Sequence, residues 1–314
     1  MLRAGFAERR CLAAVFACNR RNAEGCRMLK RLKIVLEMVK IEHTLFALPF
    51  AFMGAFFAGR GLPRLPQIAW ILLAMVGARS AAMAFNRLVD LPFDSRNPRT
   101  INRALPKKLV GRGFVVVFIM VSSAVLIFAA SRLNRLSLIL SPLALVIVFL
   151  YSYTKRFTWL THFFLGISLA CAPIGAWIAI KGSIAWEPLI LGAAVVLWVA
   201  GFDVIYSCQD VEFDKREPIY SIPKRYGVRA ALWLSAVLHL TMLIVLVFLF
   251  WKEGLGPISF LGLTVVGLLL AYEHSLVRPA DLSRANTAFF TINGWISILL
   301  FATTMIDLLW NGTK

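Results

Sequence analysis

Nine apolar stretches divide this chain, each close to the roughly 20 residues that an α-helix needs to cross the hydrocarbon of a bilayer. They lie near residues 41–59, 66–87, 113–131, 136–153, 160–180, 187–207, 230–250, 257–273 and 286–309. Inside a bilayer a segment must satisfy its own backbone hydrogen bonds, so such runs predict helices, and no strand-length segment alternates with the period of two that a barrel needs. With 60% hydrophobic and only 16% charged residues, the composition excludes a water-soluble globule. The expected fold class is an all-α integral membrane protein, a bundle of nine transmembrane helices.

The net charge of +18 would suggest a nucleic-acid partner in a soluble protein, but here the placement of Lys and Arg reports topology instead, and no nucleic acid is implied. Ten precede the first run, and seven lie on the connection from Arg87 to Arg112. In all, 26 fall on that side of the bundle and seven on the other, with Arg79 inside the second run. The N-terminus and the connections after the second and sixth runs are therefore expected in the cytoplasm, and the C-terminus outside.

Residues 1–29 read as a basic extension, disordered or interfacial, ahead of a membrane domain spanning 30–314. Cys11, Cys18 and Cys26 form no C-x-x-C pair, so neither a zinc site nor a disulfide framework is indicated. From Lys30 to Glu42 a basic amphipathic segment suits an anionic membrane surface. Glu42 and His43 read as solvated helix-end residues rather than catalysts.

Two acid-rich helix ends stand out from this background. Steps of four and seven residues return to nearly the same helical face, so Asn86, Asp90 and Asp94 share one side of the second helix. Asp203, Ser207, Asp210 and Asp214 repeat the arrangement on the sixth. Six acids, Glu212 included, would repel one another unless cations neutralise them. Hard oxygen donors suit magnesium, which completes its shell with water and substrate phosphate. The loop after Asp94 carries Arg96, Arg99, Arg103, Lys107 and Lys108 beside those acids, as a phosphate-capping loop would. Pro92 predicts that the helix kinks or ends there, placing Asp94 at the start of the loop. Arg79, seven residues before Asn86, must face protein or a wet cavity. It reads either as a salt bridge to a carboxylate such as Asp203 or as a group recognising an anionic substrate.

These residues resemble the UbiA superfamily of intramembrane prenyltransferases. Its first motif, N-x-x-x-D-x-x-x-D, is matched by Asn86, Asp90 and Asp94, and its second, D-x-x-x-D, by Asp210 and Asp214, with Asp203 and Tyr206 upstream. Arg99-Thr100, the run Asn102 to Pro106, and Tyr151 to Arg156 add to the likeness, which covers roughly residues 30–310. Within the superfamily the chain looks like a 4-hydroxybenzoate polyprenyltransferase. It looks most like the bacterial branch associated with the futalosine route to menaquinone, through Asn97 to Thr100, Gln209 to Asp214 and Tyr272-Glu273-His274. Many members have Asp where this chain has Arg87.

The resemblance implies transfer of a polyprenyl group from its diphosphate to an aromatic acid, in ubiquinone or menaquinone biosynthesis, at a bacterial inner membrane. It implies Mg2+ held by Asn86, Asp90, Asp94, Asp210 and Asp214. Lys155, Arg103, Lys107 and Arg99 would assist at the diphosphate, and Tyr151, Tyr153 and Tyr206 would shield the allylic cation through their faces. Arg79 or a loop arginine would meet the acceptor's carboxylate, and the prenyl tail calls for a lateral opening to lipid. A transporter would instead place its coupling carboxylates near the bilayer midplane, and a terpene cyclase needs no aromatic acceptor.

Overall fold

The computed structural model describes residues 34–35 and 44–311, so the basic extension, most of the amphipathic segment, Glu42 and His43 lie outside the described residues. The bundle comprises α1 (Thr44–Gly59), α2 (Leu65–Asp94), α3 (Arg112–Ser131), α4 (Arg135–Thr154), α5 (Thr161–Lys181) and α6 (Trp186–Ser207). A 3-10 turn (Cys208–Asp210) then leads into two short helices, α7 (Val211–Arg216) and α8 (Ile222–Tyr226). The chain continues through α9 (Val228–Lys252), α10 (Pro257–Ser275) and, after a helical turn and a π-helical stretch (Ala288–Ile292), α11 (Asn293–Asn311). Among the described residues eight helices are long and apolar enough to span a membrane, and a shorter apolar helix, Ala47–Gly59, makes the ninth. Among the described residues there is no strand, only one isolated bridge between Arg278 and Asp281.

Helix length positions the site. At 30 residues, α2 runs about 45 Å, against roughly 30 Å of hydrocarbon, so its last turns project beyond the apolar layer. The second acid motif projects likewise, through the nearly continuous helix Trp186–Arg216. Pro92 does not stop α2. Its missing N–H falls in the final turn, where little of the ladder is left to lose, and Ser95 N–H closes the end on Leu91 O at 3.1 Å. Asp94 is therefore the last helical residue, not a loop residue.

The bundle closes through small residues, as expected where lipid competes with every apolar contact. At Gly54 of α1 an added Cβ would run into the backbone of Pro173 on α5, and at Gly77 of α2 into the backbone of Ser122 and Leu126 on α3. Backbone cannot step aside as a side chain can. Gly54→Ala is expected to destabilise the protein by about 1–3 kcal/mol or more through overpacking. Gly175→Ala, where an added Cβ meets nothing within 4 Å, should be neutral or stabilising. Thermal unfolding of the two variants in detergent checks this; equal midpoints would contradict it.

Candidate active site

Helices α2, α4, α5 and α6 surround a cavity of about 490 Å3. Its wall follows α2 from Ile71 to Asp94, about 35 Å of helix. The deep end is apolar, formed by Ile71, Leu133, Ile178 and Ala179, whereas five carboxylates (Asp90, Asp94, Asp203, Asp210, Asp214) and five cations (Arg79, Arg87, Arg99, Arg103, Lys155) line the remainder.

Most of these charges are paired at short range. Lys155 Nζ lies 2.7 Å from Asp90 Oδ2, which also accepts from Asn86 Nδ2 at 3.1 Å. Arg103 donates to both oxygens of Asp94 at 2.8 Å. Arg99 forks onto Asp210, Nε donating to Oδ1 at 2.9 Å and a terminal nitrogen to Oδ2, and Asn97 Nδ2 donates to the same Oδ1 at 3.2 Å. The Arg99 guanidinium stacks 4.6 Å above the Tyr206 ring. Burial works against the charge on Arg99, but Tyr206 and Asp210 more than offset it and hold its pKa above the ordinary guanidinium value. Asp214 accepts from Ser221 Oγ at 2.7 Å.

Asp203 is paired with a histidine. His162 Nδ1 lies 2.7 Å from its Oδ2, and Ile222 N–H reaches His162 Nε2 at 3.5 Å. A ring nitrogen that accepts leaves the proton on the other, so Nδ1–H donates to Asp203. The loops at the acidic end of the bundle are also tied to one another and to α2. Arg96 pairs with Glu217 at 3.0 Å, Tyr220 N–H donates to Lys155 O at 2.7 Å, and Arg156 donates to Val89 O at 2.6 Å.

Of the residues expected from sequence, Asn86, Asp90, Asp94, Arg79, Arg99, Arg103, Tyr151, Lys155, Asp203, Tyr206, Asp210 and Asp214 all line this one cavity. Others do not come to it. Lys107 is exposed on the loop. Tyr153 is 41% exposed and turns outward, against Phe85 and Arg156, because it is two residues, about 200°, around the helix from Tyr151. Glu212 points to solvent and pairs with Lys215. The salt bridge from Arg79 to Asp203 is not formed, since His162 occupies that carboxylate, and Arg79 Nε is buried without a partner among the described residues. The second motif is not one continuous α-helix either. The 3-10 turn at Cys208–Asp210 interrupts it, yet Asp203, Ser207, Asp210 and Asp214 still face the cavity.

Among the wall residues that escaped the reading of the sequence are Arg87, His162, Ser221 and Phe289. Arg87 was recoverable, because spacings of three and seven put it on the face of Asp90 and Asp94. The others had no local signal. Phe289, which packs on Tyr206 with ring centroids 4.2 Å apart, reaches the site from the π-helical stretch before α11, a distortion frequent at functional sites.

The match to a family model settles the lineage: residues 47–295 fit the UbiA prenyltransferase family. The chain belongs to that family. As a UbiA prenyltransferase it is a transferase of prenyl groups. It is 30% identical over 257 residues to the 4-hydroxybenzoate octaprenyltransferase of Nitrosospira multiformis, covering 82% of this chain and 88% of the relative. To the protein of the same description from Vibrio atlanticus it is 30% identical, over 75% and 83% of the two chains. Among solved structures, the apo structure of a UbiA homolog from Aeropyrum pernix K1 matches at a TM-score of 0.78 and 34% identity, covering 85% of this chain and 98% of that one. A UbiA homolog from Archaeoglobus fulgidus bound to DMAPP and Mg2+ shares the fold, with a TM-score of 0.68 at 19% identity over 88% and 99% of the chains.

Proposed function

We propose that this UbiA prenyltransferase moves a polyprenyl group from its diphosphate to an aromatic acid of the 4-hydroxybenzoate type, for quinone biosynthesis at a bacterial inner membrane. The observation that carries the reading is the partition of the cavity: an apolar channel on one side of Arg79 and paired acids and bases on the other. The 4-hydroxybenzoate octaprenyltransferases among the relatives support the acceptor class, and the basic connections around both motifs support a cytoplasmic mouth. The relatives' names favour 4-hydroxybenzoate over a dihydroxynaphthoate.

Among the described residues no three acids, histidines or cysteines converge to chelate an ion by themselves, because each motif acid is held by a base or a hydroxyl. The donors nonetheless fit a hard divalent cation. Asp90 Oδ1 is buried with no hydrogen-bond partner, and an orphaned carboxylate oxygen at that depth is costly unless a cation meets it. Asn86, Asp90, Asp94, Asp210 and Asp214 would hold Mg2+, which when bound to a diphosphate neutralises the charge that grows as it leaves.

The protein's own groups complete the chemistry. Arg99, Arg103 and Lys155, now paired with Asp210, Asp94 and Asp90, sit where a diphosphate can exchange for carboxylate oxygens. The allylic C–O bond breaks with its electron pair going to the diphosphate, the electron-rich ring carbon supplies the pair for the new C–C bond, and that carbon then loses its proton to the released diphosphate or to water, which restores the aromatic ring. Tyr151, in the wall between Arg79 and Lys155, stabilises the developing cation, and Tyr206, whose ring already carries the Arg99 guanidinium, holds that arginine beside Asp210. The apolar channel keeps water from it. Arg79 receives the acceptor's carboxylate.

Purified protein incubated with Mg2+, polyprenyl diphosphates of several lengths and 4-hydroxybenzoate is expected to give a prenylated aromatic acid, detected by mass. The absence of any product with either 4-hydroxybenzoate or a dihydroxynaphthoate would overturn this function.

A further inference from the structure

Arg87 is a cation of this cavity to which the function proposed above assigns no role. Its side chain is more than nine-tenths buried, with 8% of the residue exposed, and it belongs to the cavity wall. Among the described residues no carboxylate lies within ion-pairing distance of it and no hydrogen bond engages it, whereas Arg99, Arg103 and Lys155 each have an acid. Asp90 and Asp94, the acids within its electrostatic reach, are already occupied by Lys155 and Arg103. A guanidinium taken from water without a counter-charge costs several kcal/mol. An anion arriving from the cavity offsets that cost.

Two anions are available under the function proposed above, and axial position separates them. Arg87 follows Asn86 directly and precedes Asp90 by less than one turn, so it stands level with the first acid motif. Arg79 lies about 12 Å further along the helix axis, too far for one benzoate carboxylate to engage both arginines at once. Arg103, also within reach of Arg87, is a like charge, and two guanidiniums facing one space are reconciled by a multiply charged anion between them. We propose that Arg87 is a direct ligand of the prenyl donor's phosphate groups, a fourth cationic contact beside Arg99, Arg103 and Lys155.

The assignment rests on the prenyltransferase reading, but its test does not need turnover. Full-length protein in detergent is titrated calorimetrically with inorganic diphosphate, with magnesium chelated, and separately with 4-hydroxybenzoate. Arg87→Gln is expected to weaken diphosphate binding by about tenfold or more, the scale of one charged hydrogen-bonding partner. Arg87→Lys should lose less, keeping the charge but not the fork, and both variants should bind the aromatic acid within about twofold of the parent. Should Arg87→Gln fail to fold, Arg87→Lys carries the same comparison. Unchanged diphosphate affinity, or a loss confined to the aromatic acid, overturns the proposal. A protein that binds diphosphate through Arg87 yet prenylates no aromatic acid would overturn the acceptor assignment alone.

Discussion

Asp90→Ala is expected to lower kcat by about a thousandfold or more while leaving the protein folded, because this side chain serves three neighbours at once. One oxygen accepts from Asn86 and faces Lys155 at 2.7 Å, and the other is buried and unpartnered. Removing it deletes a donor for the proposed metal, frees Lys155 to move and leaves Asn86 without its acceptor. Loss of a single preorganised electrostatic contact in a water-excluded site costs about 10²–10³ in rate, and here the proposed metal contact is lost as well. The fold should survive, since Asp90 lies beyond the core between α1, α5 and α6 and its loss creates no cavity among packed side chains. Steady-state kinetics with saturating donor and acceptor, beside the unfolding midpoint in detergent, decides the matter. Activity within tenfold of the parent would remove Asp90 from the site. A thousandfold loss with a midpoint many degrees lower would make the effect one of folding.

The scaffold was largely legible in the sequence for a simple reason. A bilayer admits few ways to satisfy a backbone, so an apolar run reports a helix almost directly. The run expected at 113–131 is the helix Arg112–Ser131, and that at 187–207 is Trp186–Ser207. The acids were legible because helical spacing alone put Asn86, Asp90 and Asp94 on one side. What spacing could not show was which base meets which acid. The partner of Asp203 is His162, 41 residues away in the chain, and a lone histidine near the start of an apolar run carries no mark of that contact. The helix irregularities were hidden for a related reason. The 3-10 turn at Cys208–Asp210 and the π-helical stretch at Ala288–Ile292 carry no Gly or Pro to announce them. Lys107 shows the opposite case: it is close to the acids in sequence, yet it is exposed on the loop and outside the cavity wall.

Arg79 gives the sharpest separation between binding the donor and binding the acceptor. It sits at the middle of α2, two turns from Asn86 along the same face, with Nε buried and unpartnered. The carboxylate expected to neutralise it, Asp203, is taken by His162. Arg79→Met keeps much of the length and apolar volume but removes the charge, so the acceptor's carboxylate would enter a low-dielectric space with no partner. Truncating one member of a buried charge pair costs about 2–5 kcal/mol, which corresponds to a rise in KM for the aromatic acid of about thirtyfold or more. The KM for the prenyl diphosphate should change less than about threefold, because that group binds at the far end of the helix. An aromatic acceptor of similar shape without the carboxylate should be used equally by parent and variant. Steady-state measurements varying each substrate in turn make the comparison, and a matched loss for donor and acceptor would place Arg79 in the structure of the cavity rather than on the acceptor.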